Sequence, residues 1–296
     1  MSKIKVNRNF NWVSSSDEKN VDILGDLNKK MAEFYSRSDS RDQYQEMLDS
    51  VDNEIENPGI VTTSFMKYIE SLYVQSLLEV GCGSGRIFQF LNNRIKDIQY
   101  TGIELSEKVI QNNKRKYPFV NWEVAGAYNI PLPDNSVDIC FSFYVLEHLV
   151  FPEKALNEML RTVKKDGHLI LIFPDFVASG RFASQRLGLS DIPTSLEKIK
   201  KSKFIDAAIS LYDSRIRLPK ALKTAQKTIG SFPVNTTPKC LDEEFNYMNP
   251  DVDAIYIASK TEIINWALQK GFTISLPAGE TDYFSDHAFI SIKKND

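Results

Sequence analysis

The chain has 296 residues, of which 42% are hydrophobic and 25% charged, and its formal net charge is −3 at pH 7. These values are ordinary for a folded globular protein, and the slight negative excess argues against a general nucleic-acid binder. Its three cysteines, Cys82, Cys140 and Cys240, form neither a disulfide framework nor a zinc-binding spacing. No apolar run is long enough to span a bilayer and the N-terminus has no signal-peptide core, so we expect a cytoplasmic protein.

Residues 1–59 are predicted to form a helical N-terminal extension. Apolar residues at helical spacing predict one helix over Asp22–Ser36 and a second over Arg41–Val51. The segment Asn57-Pro58-Gly59 then breaks the chain. An amphipathic helix is expected over 60–74.

Strand and helix patterns alternate from residue 76 onward. Strands are predicted near 76–80, 98–103, 120–124, 137–142 and 168–173. An apolar stripe predicts a helix over 155–163, which we expect Asp166-Gly167 to end. Such alternation is typical of an α/β fold with a doubly wound, parallel sheet that has helices on both faces.

A glycine-rich loop follows the first of these strands directly. Its residues are Gly81-Cys82-Gly83-Ser84-Gly85, and a helix begins immediately afterwards. Glycine permits tight turns and close approach of the backbone to a ligand, and a helix N-terminus directs N–H groups at it. We therefore expect a nucleotide-type cofactor at this sheet edge. The G-x-G-x-G spacing differs from the dinucleotide fingerprint, which would have a third glycine where this chain has Arg86.

Two acids accompany this loop. Glu79 precedes the first glycine by two residues, where its carboxylate can approach a cationic group. Glu104 ends the next strand, where its carboxylate can accept hydrogen bonds from both hydroxyls of a ribose. Ser106 then caps the following helix.

Together these segments resemble class I S-adenosylmethionine-dependent methyltransferases of the type 11 group. The resemblance covers most of residues 72–175 and rests on these segments: Glu79–Gly85, Glu104, Ala125–Pro131, Asp134–Cys140 and Val145–Leu149. It implies a Rossmann-like, seven-stranded, mostly parallel sheet with S-adenosylmethionine as the cofactor.

The resemblance also implies which residues contact the cofactor. They are Glu79, Gly81, Cys82, Gly83, Gly85, Glu104, Leu105, Ala127, Tyr128 and Ser142. Many family members hold the adenine amino group with an aspartate where this chain has Gly126. The adenine must therefore rely on the Ala127 backbone or on another side chain such as Tyr128.

The α/β pattern stops after Pro174 and resumes at a predicted capping box, Ser259–Glu262. A helix closed by Gly271 and strands over 272–276 and 288–293 are expected there, and the resemblance implies that these strands form an antiparallel hairpin. The Rossmann-like core thus covers 60–174 and 259–296. Residues 175–258 are predicted to be an α-rich cap inserted after strand five that helps to build the acceptor pocket.

The helical part of this insertion is basic. Between Ser195 and Gly230 there are nine lysines and arginines against three acids, and apolar residues from Leu196 to Leu211 recur at near-helical spacing. Three interpretations stay open. The segment is a cap helix with a solvated basic face, a surface for an anionic acceptor such as a phosphate- or nucleotide-linked sugar, or a peripheral contact for acidic lipid headgroups.

His148 is the candidate catalytic base. It follows the fourth strand, and a hydroxyl acceptor must lose a proton during methyl transfer. The alternative is that His148 only packs or orients its loop. Asp251 and Asp253 are weaker candidates that can equally cap a turn, and His287 is a further possible base. No metal-ligand spacing is present among these residues, so no metal is expected.

Three further residues have expected positions. Tyr35 and Tyr44 of the N-terminal extension are candidates to fold over the cofactor, because N-terminal aromatic residues do so in the resembled family. Packing of the N-terminal helices is the alternative for both. His168 is expected to face away from the site.

The sequence thus favours a small-molecule O-methyltransferase acting on a sugar or glycan precursor. Ser142–Val145 lacks the Asn/Asp-Pro-Pro-Tyr/Phe motif of enzymes that methylate amino groups of DNA bases or glutamine. The stretch Asp251–Tyr256 is similar to methyltransferases of surface-polysaccharide clusters. Two alternatives remain open: a non-catalytic cofactor-binding subunit, and a nicotinamide-dependent oxidoreductase. The intact glycines and Glu104 weigh against the first, and Arg86 against the second.

Overall fold

The computed structural model describes residues 9–36, 59–92, 94–95, 97–185, 195–241, 251–277 and 284–295. The predicted helix over Arg41–Val51, and with it Tyr44, lies outside them. The strands are β1 (Trp12–Ser14), β2 (Ser76–Val80), β3 (Gln99–Glu104), β4 (Asn121–Val124), β5 (Val137–Phe143), β6 (Val163–Pro174), β7 (Pro233–Asn235), β8 (Thr273–Ser275) and β9 (His287–Lys293). The helices are α1 (Val21–Ser36), α2 (Ile60–Ser71), α3 (Arg86–Asn92), α4 (Glu107–Lys116), α5 (Pro152–Thr162), α6 (Phe176–Ser179), α7 (Ser195–Lys200), α8 (Phe204–Tyr212), α9 (Leu218–Ile229) and α10 (Lys260–Gln269).

The main sheet has seven strands in the order β4-β3-β2-β5-β6-β9-β8. The neighbours from β4 to β6 run parallel, and β9 runs antiparallel to both β6 and β8. This is the predicted Rossmann-like, mostly parallel sheet. The direction in which successive strands are added reverses between β2 and β5. Ligands bind in such sheets at the carboxyl ends of the strands beside that reversal.

Alternating side chains of the central strands pack into two separate cores. On β2, Leu77 packs in a cluster with Phe65 and Phe88, whereas Leu78 packs in a cluster with Leu27 and residues of α5 and α10. This alternation is the period-two geometry of a strand covered on both faces. Strands β2 and β5 are therefore buried along almost their whole length, and the polar residues in them are informative.

The indole of Trp122, on β4, fills the space behind the glycine loop. A Cβ added at Gly85, whose φ is +78°, would lie 2.9 Å from Trp122 Cη2. A Cβ at Gly102 would lie 2.5 Å from Trp122 Cζ3. The indole is 1% exposed, so it has no space to move away. Gly85 is thus a packing residue beneath the loop.

We predict that Gly85→Ala lowers the free energy of unfolding by about 2–5 kcal/mol. Left-handed backbone costs an alanine about 1–2 kcal/mol, and overpacking against the indole adds about 1–3 kcal/mol. Gly271→Ala is the matched control, because φ there is +81° and no described atom lies within 4 Å of the added Cβ. Urea unfolding of both variants measures the difference. Equal losses would show that Trp122 yields to the new methyl group.

The end of helix α5 differs from the prediction. The helix ends at Thr162, and β6 begins at Val163. Asp166-Gly167 lies inside β6, where the pairing with β5 shifts register between Val137 and Ile139. Asp166 has φ 62°, and its N–H donates to the Lys294 carbonyl at 2.9 Å. The Asp-Gly pair therefore makes an irregularity in a strand instead of stopping a helix.

The predicted capping box is also wrong in its hydrogen bonds. Ser259 is the N-cap of α10, but its side chain makes no capping hydrogen bond. The Glu262 carboxylate instead accepts the Phe232 N–H at 2.7 Å and the Tyr256 hydroxyl at 2.6 Å. Glu262 thus ties α10 to the insertion.

The insertion is joined to the N-terminal segment by a second sheet. Strands β1 and β7 pair antiparallel, with Trp12 opposite Asn235. The Trp12 indole N–H also donates to the Gln185 side chain at 2.5 Å. The N-terminal segment and the insertion therefore pack together against the core.

Residues 195–229 form three helices instead of one cap helix. The α7 and α8 helices pack on each other, and a π-helical turn over Asp213–Arg217 leads into α9. Helix α9 buries Leu218, Leu222 and Ala225. Within the described residues, no helix is long and apolar enough to cross a bilayer.

Candidate functional site

A cleft of about 540 Å³ opens at the carboxyl ends of the central strands. This size lies within the range of about 300–1,000 Å³ that is typical of small-molecule sites. Its walls come from the glycine loop, the ends of β3, β5 and β6, helix α1, and the segment that follows residue 250. The lining residues that bear on function are Asn28, Met31, Tyr35, Glu79, Gly81, Cys82, Gly83, Arg86, Glu104, Leu105, Ala127, Tyr128, Tyr144, Glu147, His148, Asp251, Asp253 and His287.

The glycine loop is anchored to β3 by its backbone. The Gly81 and Cys82 N–H groups both donate to the Ile103 carbonyl, at 2.8 and 2.9 Å. Gly81 and Gly83 have φ of 74° and 47°, a left-handed conformation that glycine adopts readily. This geometry turns the chain from β2 into α3 and leaves the loop facing the cleft.

Glu104 is held in a fixed orientation at the end of β3. One carboxylate oxygen accepts the Leu105 and Ser106 N–H groups at 2.8 and 3.2 Å, and the other accepts the Gly83 N–H at 3.4 Å. Burial raises the pKa of Glu104, although these three hydrogen bonds act in the opposite direction. The carboxylate faces the cleft with lone pairs that remain available to hydroxyl donors.

Glu79 lies buried at the floor of the cleft. Its carboxylate accepts a hydrogen bond from the Tyr100 hydroxyl. Burial raises the pKa of Glu79 to about 8, against the lowering effects of Tyr100 and Arg86. A buried acid of this kind gains stability in its ionised form when a cation binds beside it.

Three further residues predicted to contact the cofactor line the cleft. They are Leu105, Ala127 and Tyr128. The Tyr128 hydroxyl accepts the Val150 and Phe151 N–H groups at 3.0 and 3.2 Å, so it is already engaged in holding the loop after β5.

Gly85 and Ser142 were predicted to contact the cofactor, but the structure does not place them in the cleft lining. Gly85 packs over Trp122 as described above. Ser142 lies within β5 between Val80 and Leu171, and its Oγ is buried with no hydrogen-bond partner among the described residues. The carboxyl end of β5 instead presents Phe143 and Tyr144 to the cleft.

His148 lines the cleft from a short 3-10 helix after β5. Its Nδ1 is 3.6 Å from Asp253 Oδ2, and that same oxygen accepts the Tyr35 hydroxyl at 2.8 Å. The Tyr35 ring packs edge-on against the imidazole. The structure thus brings together a helix α1 residue, a residue after β5 and a residue of the insertion, all of which the sequence had singled out separately.

A second acid, Glu147, was not among the predicted site residues. Its carboxylate is fully buried, neither oxygen has a hydrogen-bond partner among the described residues, and one oxygen lies 3.8 Å from His148 Nε2. Burial raises the pKa of Glu147 to about 8. Its position in the Val145–Leu149 motif was the only sequence signal for it.

These acids change the titration of His148. Burial alone lowers the pKa of the imidazole, but Asp253, Glu147 and Asp251 raise it, and the net effect is a raised pKa. Asp251 has φ 64°, and the nearby Ala254 N–H donates to its carbonyl. Asp251 thus occupies the turn that was considered in the sequence while its side chain also lines the cleft.

Of the remaining two histidines, one lies in the cleft lining and the other lies outside it. His287 lines the cleft, hydrogen-bonds Asp286 at 2.9 Å and packs against Tyr144. His168 lies outside the cleft lining, with its Nδ1 3.0 Å from the Ser291 Oγ. Its predicted position away from the site is therefore confirmed.

The basic helices of the insertion do not reach the cleft. None of the described residues from 195 to 229 is part of its lining. The described lysines of this segment thus lie outside the cleft lining, and acceptor binding by them stays a prediction. Nor do the described His, Cys, Asp and Glu side chains form a group of three or more that could hold a metal ion.

Comparisons with known proteins agree with this architecture. Residues 78–171 match the family described as Methyltransferase domain. The ubiquinone/menaquinone biosynthesis C-methyltransferase UbiE of Campylobacter jejuni is 30% identical over 112 residues, which are 35% of this chain and 48% of that protein. An uncharacterized methyltransferase of Schizosaccharomyces pombe is 28% identical over 123 residues, which are 38% of this chain and 44% of that protein. The chain thus spans about half the length of these curated relatives.

Among solved structures, the plantazolicin methyltransferase BpumL in complex with a triazolic desmethylPZN analog and SAH aligns with a TM-score of 0.46 and 15% identity. That alignment covers 94% of this chain and 99% of BpumL. The fold assignment itself rests on the strand order and directions described above. The glycine loop after β2, the acid at the end of β3 and the matched segment lead to one conclusion. Residues 78–171 of the chain match a methyltransferase domain, and S-adenosylmethionine is the cofactor that this domain and the site residues support.

Proposed function

We propose that the chain transfers a methyl group from S-adenosylmethionine to a hydroxyl group of a small polyhydroxylated molecule, such as a sugar or a glycan precursor. When bound, the cofactor supplies a methyl group that its sulfonium already activates. The observation that carries the proposal is the presence in one cleft of the glycine loop, Glu104 and the His148–Asp253 pair. A cofactor site and a candidate base thus share one cavity.

The residues at the glycine-loop end fit the cofactor's functional groups. Glu104, held by three backbone N–H groups, suits the two hydroxyls of a ribose. Glu79 suits a cationic ammonium, and Arg86, which also lines the cleft, suits a carboxylate. Leu105 and Ala127 offer an apolar surface and a backbone for the adenine.

The same cleft also holds a candidate proton acceptor. In this proposal His148 removes the proton from the acceptor hydroxyl, and Asp253 stabilises the imidazolium that forms. Tyr35 holds Asp253 in place through its 2.8 Å hydrogen bond. The distance of 3.6 Å between His148 Nδ1 and Asp253 Oδ2 is longer than a hydrogen bond, and such contacts commonly shorten once a substrate is present.

The acidic side chains near His148 favour an acceptor molecule that is uncharged and rich in hydroxyl groups where it reacts. Asp251 and Asp253 lie near His148, whereas Arg86 lies near Glu79. Carboxylates accept hydrogen bonds from sugar hydroxyls, and they repel a phosphate. If the acceptor carries a phosphate, we therefore place that phosphate away from the reacting hydroxyl.

Methyl transfer from labelled S-adenosylmethionine to a panel of sugars and nucleotide sugars tests the proposal. Mass spectrometry of the product distinguishes an O-methyl from an N-methyl group, and the latter would overturn the choice of acceptor atom. Cofactor binding without any product from a cell extract would favour the non-catalytic subunit. Stabilisation against heat by NAD, and none by S-adenosylhomocysteine, would favour the oxidoreductase, because a ligand at 100 times its Kd adds about 2.7 kcal/mol to the folded state.

Glu79 makes a pH prediction about the cofactor. Its folded-state pKa of about 8 lies above the ordinary value of 4.5, so the unliganded protein keeps this group protonated at neutral pH. Keeping Glu79 protonated therefore contributes to the free energy of unfolding. This contribution is complete below about pH 4.5 and is lost as the pH rises through about 8. A bound ammonium group favours the ionised form, so the affinity for S-adenosylhomocysteine should rise between pH 6.5 and about 8.

Calorimetry on the parent protein and on Glu79→Gln measures this effect. The glutamine cannot ionise, so its binding should be weaker and the increase with pH smaller. Tyr73→Phe, a change at a fully exposed tyrosine, is the control. Identical pH dependence in parent and Glu79→Gln would remove Glu79 from the ammonium site.

A cytoplasmic site of action is part of this proposal. The three cysteines are buried and form no disulfide among the described residues, as expected for a protein that stays in a reducing compartment.

A further inference from the structure

The α7–α8 hairpin exposes an unusual set of large apolar side chains. Helices normally turn such residues toward the core, yet seven of them are more than 40% exposed in the 21 positions that run from α7 through α8 into the π-helical turn. They are Leu196 at 62%, Ile199 at 42%, Phe204 at 65%, Ile205 at 76%, Leu211 at 46%, Tyr212 at 51% and Ile216 at 55%. The stripe that the sequence would place against a core therefore faces outward.

Polar groups occupy the inside of the same hairpin. The Lys198 ammonium is buried and donates to the Ser210 hydroxyl at 2.6 Å, which links α7 to α8. Asp213 is also buried, and Arg217 pairs with it at 3.2 Å. The hairpin is thus inverted, since polar side chains hold it together and apolar ones cover it. Such an element is suited to an apolar surrounding.

Lysines surround the apolar residues at the hairpin tip. Lys200, Lys201 and Lys203 are all exposed and lie between Ile199 and Phe204 in the chain. The turn is closed by backbone hydrogen bonds from Ser202 N–H to the Ile199 carbonyl at 2.9 Å and from Lys203 N–H to the Lys198 carbonyl at 2.8 Å. The tip therefore presents apolar and cationic side chains together on a compact turn.

We propose that this tip binds the surface of a lipid bilayer that contains anionic headgroups. Phe204 and Ile205 enter the boundary between headgroups and acyl chains, and the three lysines contact the headgroup phosphates and carboxylates. This combination of exposed apolar residues and lysines is the pattern of interfacial membrane-binding elements. The net charge of the whole chain is −3, so a local cluster of cations is what directs this end to an anionic surface.

The hairpin leads into helix α9, which packs against α6 and the β1–β7 sheet. Pro219 at the start of α9 lies 3.3 Å from the position of a Cβ at Gly180, directly after α6. Helix α6 in turn follows Pro174, which lines the cleft. The hairpin is therefore joined through α9 to the segment that leaves the sheet at the edge that carries the site.

Flotation of the full-length protein with vesicles tests the proposal. Vesicles of phosphatidylcholine alone are compared with vesicles that contain 30% phosphatidylglycerol, at low and at high salt. We expect binding to the anionic vesicles that is at least ten-fold stronger than to the neutral ones and that weakens with salt. Phe204→Ser with Ile205→Ser, and separately the three lysines changed to glutamate, should each reduce it at least ten-fold.

The matched control is Val21→Ser with Ile23→Ser, which removes two apolar side chains on α1 that are 56% and 49% exposed. This variant should bind vesicles like the parent. Unchanged melting temperature and S-adenosylhomocysteine affinity show that each variant is folded.

Three results would overturn the proposal. These are equal affinity of the parent for neutral and anionic vesicles, no binding at low salt, and tip variants that bind like the parent. If light scattering shows that the serine variant instead converts an oligomer to a monomer while vesicle binding is absent, the surface is an interface between protein chains. None of these outcomes depends on the identity of the methyl acceptor.

Discussion

Replacing His148 with alanine is expected to lower the turnover number by about 10²-fold or more while the affinity for S-adenosylhomocysteine changes little. A positioned general base contributes about 10²–10⁴-fold to proton transfer, and the imidazole lies within 4 Å of carboxylate oxygens of both Asp253 and Glu147. Steady-state kinetics at saturating cofactor measures the loss.

The pH profile makes this prediction more specific. Burial lowers the pKa of His148, but the three surrounding carboxylates raise it above its ordinary value of 6.5. The base is active only when neutral, so the activity of the parent should still be rising with pH above 6.5, and His148→Ala should lose this rise. His168→Ala is the matched control, because that histidine lies outside the cleft lining. A loss of only a few-fold with an unchanged profile would assign His148 to packing.

The second large effect is expected at Glu104. Glu104→Ala should raise the Kd for S-adenosylhomocysteine by about 10²-fold or more, because hydrogen bonds to a charged group contribute about 1.5–3 kcal/mol each and two are proposed. Glu104→Gln keeps the side-chain volume and one acceptor oxygen, so its loss should be smaller. Isothermal titration calorimetry measures both variants.

A control separates this loss of binding from a damaged loop. Glu104 also accepts N–H groups of Gly83 and Leu105, so the alanine variant can disturb the backbone. Glu123→Ala, on the neighbouring strand β4 and outside the cleft lining, should bind normally. If Glu104→Gln binds as tightly as the parent and melts at the same temperature, Glu104 does not hold the ribose.

The cofactor half of the cleft was largely predictable because its signals are local. Glycines at fixed spacing after an apolar strand specify a turn, and Glu104 follows from the register of the next strand. The same locality bears on Gly85 and Ser142, which lie outside the cleft lining. Whether such a residue faces a ligand or a core depends on what lies behind it, which the local sequence does not contain. At Gly85 that neighbour is Trp122, 37 positions further along the chain.

The arrangement of residues around His148 could not be predicted, because it depends on contacts between distant parts of the chain. Tyr35, His148 and Asp253 were each singled out, but nothing in the spacing indicated that one oxygen of Asp253 would lie near both of the others. Glu147 was overlooked because a buried acid without a partner looks like any exposed acid in a sequence. Helical periodicity likewise identified the apolar residues of α7 and α8, although it cannot tell an inward stripe from an outward one.

The pairing of β1 with β7 has a consequence for how the protein is made. Trp12 is synthesised long before its partner Asn235, and Tyr35 precedes Asp253 by 218 positions. At about 5–20 residues per second, the N-terminal segment waits roughly 10–40 s for these partners. The parallel units between β2 and β6 need only neighbouring segments, so they can form on the ribosome during that interval. The acceptor wall is then assembled last, and a nascent chain that ends before residue 251 carries the glycine loop and Glu104 but lacks the aspartate that joins Tyr35 to His148.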